Sequence, residues 1–277
     1  MIITNIGCSG SGKSTFSASL ASGIQRGNSR STILLINFDA NVPMHAIWEP
    51  KREISKMYSI GTLFENDRID EKTLTKSIVT MEHHPNIGTL AFCIGDTPLL
   101  YKDIEYKQVI DMLKAAEQLV DYVIVDCSCD LLADTTVAAI EMANCLNVFL
   151  TPDPMGVVYL KTARLMYEGK KKFMVDNTNY FLTPCRSFSA TPNIKEALKI
   201  KAFELPYSNE IAVKNCEGDI FGAYKRAPRR YKNAVKKILA SVGGKVEKSA
   251  VDEQLADVAV KSDKSKKNAR KEKMNNV

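Results

Sequence analysis

The sequence predicts an α/β fold with a doubly wound, mostly parallel sheet flanked by helices. Short apolar segments alternate with amphipathic segments along most of the 277 residues. Two apolar segments, Ile33–Ile36 and Val123–Val125, contain no polar residue, which is typical of strands buried on both faces. Buried strands that alternate with helices form a parallel sheet covered by helices on both sides.

Short apolar segments rich in β-branched residues predict seven strands. They are Ile2–Ile6, Ile33–Asn37, Leu90–Ile94, Tyr122–Val125, Leu146–Leu150, Tyr180–Thr183 and Lys201–Leu205. Apolar residues at helical spacing predict helices over Ser14–Gln25, Tyr106–Leu119, Leu132–Met142, Met155–Tyr167, Glu210–Cys216 and Arg229–Val242. The pattern ends there, which predicts one folded domain over residues 1–242 and a polar, basic, disordered tail over residues 243–277.

The positive charge is concentrated near the C-terminal end. The formal net charge is +6, yet residues 1–224 hold 22 basic and 26 acidic side chains. Residues 225–237 hold seven basic side chains and no acidic one: Lys225, Arg226, Arg229, Arg230, Lys232, Lys236 and Lys237. We call these seven residues the basic cluster. Such a cluster is either a solvated helix face or a surface that binds DNA or an acidic membrane through phosphate groups.

Composition also bears on class and compartment. Apolar residues make up 45% and charged residues 25%, which excludes a collagen-like or wholly disordered chain. The seven cysteines lack the spacing of a disulfide framework. No apolar run approaches the roughly 20 residues that span a bilayer, and the N-terminus lacks the features of a signal peptide. These observations predict a cytoplasmic protein.

Residues Gly7–Ser14 match the phosphate-binding pattern G-x-x-x-x-G-K-[ST] in full. The motif lies between a predicted strand and a predicted helix, where backbone N–H groups and the helix N-terminus surround phosphate oxygens. Lys13 is predicted to neutralise the β- and γ-phosphates, and the Ser14 hydroxyl to bind Mg²⁺. Thr15 is predicted to contact the α-phosphate. The remaining predicted nucleotide contacts in the loop are Gly10, Ser11 and Gly12.

Two further predicted strands end in an aspartate. Asp39 follows the strand Ile33–Asn37, and Asp126 follows Tyr122–Val125. Because the carboxyl ends of parallel strands meet at one edge of the sheet, both carboxylates are expected beside the phosphates. We predict that Asp126 binds Mg²⁺ and that Asp39 orients or activates the attacking water.

The order of these segments resembles the ParA/MinD family of deviant-Walker P-loop ATPases, which includes CpaE/TadZ-like positioning proteins. The resemblance rests on five segments and covers about residues 1–242: the N-terminal P-loop, Asn37–Asp39, Asp121–Asp126, Val148–Pro154 and Leu205–Gly218. It implies an ATPase that binds Mg-ATP, dimerises on ATP binding and positions or partitions cargo. It further implies that Pro206 and Tyr207 pack on the base, and that the partners include DNA or an acidic membrane and a cargo or adaptor protein.

The chain departs from the family pattern at three places. Cys8 stands where the family has its signature lysine, Asn37 replaces the first acid of D-x-D, and Thr183–Arg186 replaces an Asn-Arg pair. Two alternative functions therefore remain open: a nucleotide-binding module with little or no hydrolysis, and a P-loop kinase of small molecules. Cys127 and Cys129 are either metal ligands shared between subunits or small side chains that fill the end of a strand.

Overall fold

A computed structural model describes residues 1–96, 104–167 and 178–241. The strands are β1 (Ile2–Gly7), β2 (Ile33–Asn37), β3 (Val79–Met81), β4 (His84–Leu90), β5 (Tyr122–Asp126), β6 (Cys145–Leu150), β7 (Thr178–Cys185) and β8 (Ala202–Pro206). The helices are α1 (Lys13–Gly27), α2 (His45–Trp48), α3 (Ile60–Phe64), α4 (Glu71–Ser77), α5 (Tyr106–Leu119), α6 (Asp134–Met142), α7 (Pro154–Met166), α8 (Thr191–Leu198), α9 (Asn209–Cys216), α10 (Ala223–Arg226) and α11 (Arg229–Ser241), with a 3-10 helix at Lys56–Tyr58.

All eight strands form one sheet in the order β3-β4-β2-β5-β1-β6-β7-β8. Every neighbouring pair is parallel except β3 and β4, which form an antiparallel edge. The predicted α/β class with a doubly wound, mostly parallel sheet is therefore confirmed. Asp126 at the end of β5 lies in register with Asn5 of β1 and Asn37 of β2. This register brings the polar strand ends together at the carboxyl edge of the sheet.

Helices cover both faces of the sheet, and each face has its own apolar core. On one face α3 to α8 pack over β2, β5 and β6. On the other face α1, α10 and α11 pack together, and the ring of Phe16 contacts the rings of Phe149, Phe181 and Tyr231 at centroid distances of 5.0, 5.1 and 5.5 Å. These rings fix α1, and with it the loop that precedes α1, against the sheet.

Most predicted elements occur within a few residues of their predicted bounds, but the predicted strand Leu90–Ile94 is wrong. Strand β4 ends at Leu90, and the chain then leaves the sheet. The N–H of Cys93 donates to the buried Asp96 carboxylate at 2.6 Å, and Ala91 O accepts from Ile60 N at 3.0 Å. Because these bonds replace strand pairing, Ala91, Phe92 and Cys93 stay buried without forming a strand, whereas Ile94 is exposed.

Several elements are absent from the sequence prediction: β3, α2, α3, α4, α8 and α10. The predicted C-terminal helix is present as α11 as far as Ser241, and Val242 together with the predicted tail at 243–277 lies outside the described residues. None of the helices in the described ranges has the length and apolar character needed to cross a membrane.

Candidate functional site

The phosphate-binding motif forms a tight loop between β1 and α1. Gly10 and Gly12 have φ values of 73° and 71°, in the left-handed region that favours glycine. Gly7 is also required, because a Cβ atom there would lie 2.4 Å from the carbonyl oxygen of Phe149. Helix α1 begins at Lys13, so the loop presents backbone N–H groups and a helix N-terminus at the edge of the sheet.

Lys13 forms a buried ion pair with Asp126. Its Nζ lies 3.3 Å from Asp126 Oδ1, and Lys13 is 9% exposed while Asp126 is fully buried. Burial alone would lower the pKa of Lys13, but the neighbouring groups, Asp126 first among them, together outweigh burial and raise that pKa above its ordinary value. The ammonium therefore stays charged inside the site.

Asn37 holds the other oxygen of the same carboxylate. Its Nδ2 donates to Asp126 Oδ2 at 2.8 Å, and its Oδ1 accepts from the N–H of Asp39 at 3.0 Å. An aspartate at this position could not donate, and it would place a second negative charge beside Asp126. The departure from D-x-D thus gives Asp126 a neutral donor and links the ends of β2 and β5.

Sequence reasoning missed a second set of asparagines beneath the loop. Asn179 donates to Asn147, which donates to Asn5, which in turn donates to the hydroxyl of Ser17, at 3.1, 2.8 and 2.8 Å. The Ser17 hydroxyl then donates to the carbonyl of Lys13 at 3.0 Å. Single asparagines inside the apolar strands β1 and β6 were the available signal, since a buried amide requires a partner.

A cleft of about 220 Å³ opens above the loop, and we call it the P-loop cleft. Its lining consists of residues 8–15 with Asn37, Asp39, Val42, Met44 and Cys129. The predicted residues Gly10, Ser11, Gly12, Lys13, Ser14, Thr15 and Asp39 therefore lie together. Asp126 lies directly behind Lys13. The hydroxyl of Ser14 with the carboxylates of Asp39 and Asp126 is a set of hard oxygen donors, which suits Mg²⁺.

A second, smaller cavity of about 140 Å³ adjoins the cleft, and we call it the side pocket. Its lining consists of Gly10, Gly12, Thr15, Thr183, Pro184, Pro206, Tyr207, Ser208, Ile211, Ala212, Asn215 and Tyr231. Pro206 and Tyr207 thus lie next to the P-loop, as the resemblance implied. The guanidinium of Arg186 stacks over the Tyr207 ring at 4.6 Å. The two cavities share Gly10, Gly12 and Thr15, so they lie next to each other along the P-loop.

Solved structures with this architecture were found by comparison of the whole fold. A ParA family ATPase from Chlorobium tepidum superposes with a TM-score of 0.71 at 16% identity over 86% of this chain and 98% of that chain. The fold is that of the ParA/MinD ATPases. Septum site-determining protein MinD from Pyrococcus horikoshii, complexed with Mg-ADP, gives 0.65 at 15% identity over 87% and 95% of the two chains.

A putative plasmid partition protein from Borrelia burgdorferi, bound to AMPPNP, gives a TM-score of 0.64 at 17% identity over 87% of this chain and 97% of that chain. No protein-family model and no curated protein sequence matches the chain. Identities of this size show a common fold. The resemblance inferred from the motifs is confirmed at that level.

Cys8, at the position of the signature lysine of the ParA/MinD ATPases, is turned into the protein. It is 4% exposed, and its Sγ accepts from the N–H of Thr151 at 3.3 Å. Thr151 donates to the Asp153 carboxylate, which accepts from the N–H of Gly156 at the start of α7. Position 8 therefore joins the P-loop to α7 within one chain.

The two cysteines after β5 lie in different surroundings. Cys127 is buried and Cys129 is exposed. Burial raises the pKa of the Cys127 thiol far above its ordinary value, which keeps it protonated. Within residues 1–96, 104–167 and 178–241, no group of three or more His, Cys, Asp or Glu side chains could hold a metal ion. Cys127 fills the apolar core, whereas Cys129 lines the P-loop cleft.

The basic cluster lies on α10 and α11, away from the P-loop cleft. Helix α11 buries Tyr231, Ala234, Val235, Ile238 and Leu239, and turns its charged residues outward. Lys225, Arg226, Arg229, Arg230 and Lys237 are exposed. Lys232 donates to the carbonyl of Lys225, and Lys237 lies 4.6 Å from the centre of the Phe203 ring.

An apolar cleft of about 760 Å³ between α7 and α8 did not follow from the sequence analysis. Val158 and Phe188 line it and are 63% and 80% exposed. Met155 and Leu165 on α7 are also exposed, at 54% and 73%. Exposed apolar surface of this kind is typical of surfaces that bind other proteins.

Proposed function

We propose that the chain is a ParA/MinD-like ATPase that binds Mg-ATP. We further propose that it uses nucleotide-dependent association to position or partition cargo, either DNA or a secretion or pilus assembly. One observation carries the proposal: a complete P-loop and Asp39 line one cleft, and Lys13 of that cleft pairs with the buried Asp126 behind it. The neighbours bound to Mg-ADP and AMPPNP support ATP and Mg²⁺ as ligands.

In this proposal each residue has a defined role. The Lys13 side chain moves so that its ammonium contacts the β- and γ-phosphates instead of Asp126, while backbone N–H groups of residues 10–14 bind the phosphate oxygens. Ser14 and Asp126 would hold Mg²⁺, which when bound would neutralise charge on the phosphates. Asp39 orients the attacking water, because its carboxylate lines the same cleft. Pro206 and Tyr207 pack on the base in the side pocket.

The alternative is a nucleotide-binding module with little or no hydrolysis, and the inward orientation of Cys8 favours it. A side chain directed at Thr151 cannot reach the nucleotide of a second subunit. A P-loop kinase of small molecules is less well supported. Of these functions, only the kinase requires an acceptor site for a second substrate.

Phosphate release from Mg-ATP by the full chain tests the ATPase. We expect the wild type to turn over, and Asp39→Ala to retain ATP affinity while its kcat falls about a hundredfold or more, the usual effect of losing a group that activates the nucleophile. Asp67→Ala, at an exposed aspartate, is the matched control. Unchanged hydrolysis in Asp39→Ala would refute the role of Asp39. Binding without turnover in the wild type would favour the binding module.

Association with partners requires surfaces outside the cleft. The exposed apolar side chains of α7 support self-association into a homodimer on ATP binding. Light scattering tests this by comparing the mass of the full chain with AMPPNP and with ADP.

The outward basic residues of α11 support binding of DNA or an acidic membrane. A titration of duplex DNA and of anionic vesicles over salt concentration distinguishes these, and binding that is absent or independent of salt would remove the polyanion from the proposal.

A further inference from the structure

The side pocket contains a polar side chain that the resemblance does not account for. Asn215, near the end of α9, lines the pocket beside Thr15. Its Nδ2 donates to the Thr15 hydroxyl oxygen at 3.1 Å. Its amide oxygen, Oδ1, is buried and has no hydrogen-bond donor among the described residues. A buried carbonyl oxygen without a donor costs free energy, which a bound donor group would recover.

The bond to Thr15 fixes which end of the amide is free. Under the proposed function the Thr15 hydroxyl donates its proton to the α-phosphate, so its oxygen accepts from Asn215 Nδ2. The amide oxygen is then the end left for a ligand, and it can only accept. Ser208, another polar residue of the pocket, is already committed, since its hydroxyl donates to Glu210 and accepts from Ile211 N.

The segment at the end of β7 does not supply this group. Cys185 Sγ donates to the carbonyl of Leu182 at 3.0 Å. Arg186 lies over Tyr207. This segment contributes Thr183 and Pro184 to the lining of the pocket, neither of which has an amide side chain, whereas Asn215 on α9 provides one.

We propose that Asn215 selects the nucleoside, through an amide oxygen that accepts a hydrogen bond from a donor on the bound nucleotide. The donor is either the 6-amino group of adenine or a ribose hydroxyl. Guanine presents a 6-oxo group, which cannot donate to Asn215 and would place two acceptors together. A site that hydrogen-bonds a donor discriminates strongly against analogues that lack it. This proposal rests on the proposed nucleotide site and names its specificity residue.

Titration calorimetry of the full chain with Mg²⁺ and ADP, GDP or deoxy-ADP tests it without turnover. We expect the wild type to prefer ADP, and Asn215→Ala to lose about tenfold in ADP affinity, the effect of one hydrogen bond. If the base donates, GDP affinity does not fall in Asn215→Ala, because removing the amide oxygen also removes the contact between two acceptors, and the preference for ADP over GDP is lost. If a ribose hydroxyl donates, Asn215→Ala leaves unchanged the affinity for the analogue that lacks that hydroxyl, either 2′-deoxy-ADP or 3′-deoxy-ADP.

Two variants keep the result interpretable. Asn209→Ala, an exposed asparagine on the same helix, should leave all affinities unchanged. Thr15→Val removes both the contact to the α-phosphate and the bond that orients Asn215, so it should weaken every nucleotide, including those that Asn215→Ala leaves unaffected. If Asn215→Ala weakens the binding of all nucleotides equally, or of none, the role of Asn215 is overturned while the proposed function stands. A wild type that binds no nucleotide would instead overturn the proposed function, and the role of Asn215 with it.

Discussion

The P-loop cleft and the side pocket differ in how their polar groups are held. In the cleft, Lys13 and Asn37 both bond the fully buried Asp126, and a chain of buried asparagines supports Lys13 from beneath. In the side pocket, Tyr207 is 43% exposed and contacts Arg186 through a stacked face. The cleft therefore holds buried charged groups in a hydrogen-bonded network, whereas the side pocket includes a partly exposed aromatic ring that is held by stacking.

The difference follows from where the residues come from. The polar groups of the cleft follow β1, β2 and β5, whose register the sheet fixes. Beyond the P-loop and Thr15, the side pocket takes its walls from β7, β8, α9 and α11, through residues between Thr183 and Tyr231. Substitutions in the segments that line the side pocket can thus change the surroundings of the base, while the P-loop motif keeps the phosphate site unchanged.

The largest effect is expected from Lys13→Ala, which removes the charged group of the cleft. The affinity for Mg-ATP should fall about a hundredfold or more, because a charge-assisted contact to phosphate is lost. The same change leaves Asp126 buried without its cation, so the free energy of unfolding should fall by about 3 kcal/mol. Calorimetry and urea denaturation measure the two effects.

Lys161→Ala, at an exposed lysine on α7, is the control for Lys13→Ala. Nucleotide affinity that survives in Lys13→Ala would show that the cleft is not the phosphate site. In that case the contrast between the two regions would lose its functional meaning.

An intermediate effect is expected at Asn37. Asn37→Ala leaves Asp126 Oδ2 without its donor, which should cost about 1–3 kcal/mol of unfolding free energy by urea denaturation. Asn37→Asp places a second carboxylate there, so its loss of stability should be partly recovered by millimolar Mg²⁺. Asn41→Ala, at an exposed asparagine nearby, should be neutral. An Mg²⁺ response equal to that of the wild type would contradict a cation site at this edge.

The smallest effect is expected at Tyr207 in the side pocket. Tyr207→Ala should weaken ATP by about fivefold, since a half-exposed stacking surface contributes about 1 kcal/mol, and Tyr207→Phe should retain binding. Inorganic pyrophosphate, which has no base, should bind both variants like the wild type. A loss of pyrophosphate affinity in Tyr207→Ala would show that the two regions do not act separately.

The sequence predicted the parts of the fold and site that local signals determine. The P-loop, Asp39 and Asp126 were found from one motif and from the ends of two apolar strands, and the structure brings them together. The strand at Leu90–Ile94 was misplaced. In the sequence, an apolar run whose backbone N–H bonds a carboxylate looks the same as one whose backbone pairs with a neighbouring strand. Asn215 and the apolar cleft at α7 depend on contacts between distant segments, which spacing along the chain does not reveal.

Asn37 shows the same limit within the site itself. From the sequence it was a departure from D-x-D, whereas the structure makes it a donor to Asp126 and an acceptor from Asp39. The role follows from the register of β2 against β5. The motif alone shows only that the carboxylate charge of the first acid of D-x-D is absent at Asn37.

The role of the P-loop cleft in phosphate binding can be tested by a structure of the full chain with Mg-AMPPNP, through the distance between Lys13 Nζ and Asp126 Oδ1. That distance is 3.3 Å here. We expect it to lengthen beyond about 3.5 Å, the limit of a hydrogen bond, with Nζ instead about 3 Å from a phosphate oxygen. A nucleotide bound away from the P-loop cleft, with the Lys13–Asp126 pair intact, would contradict that role.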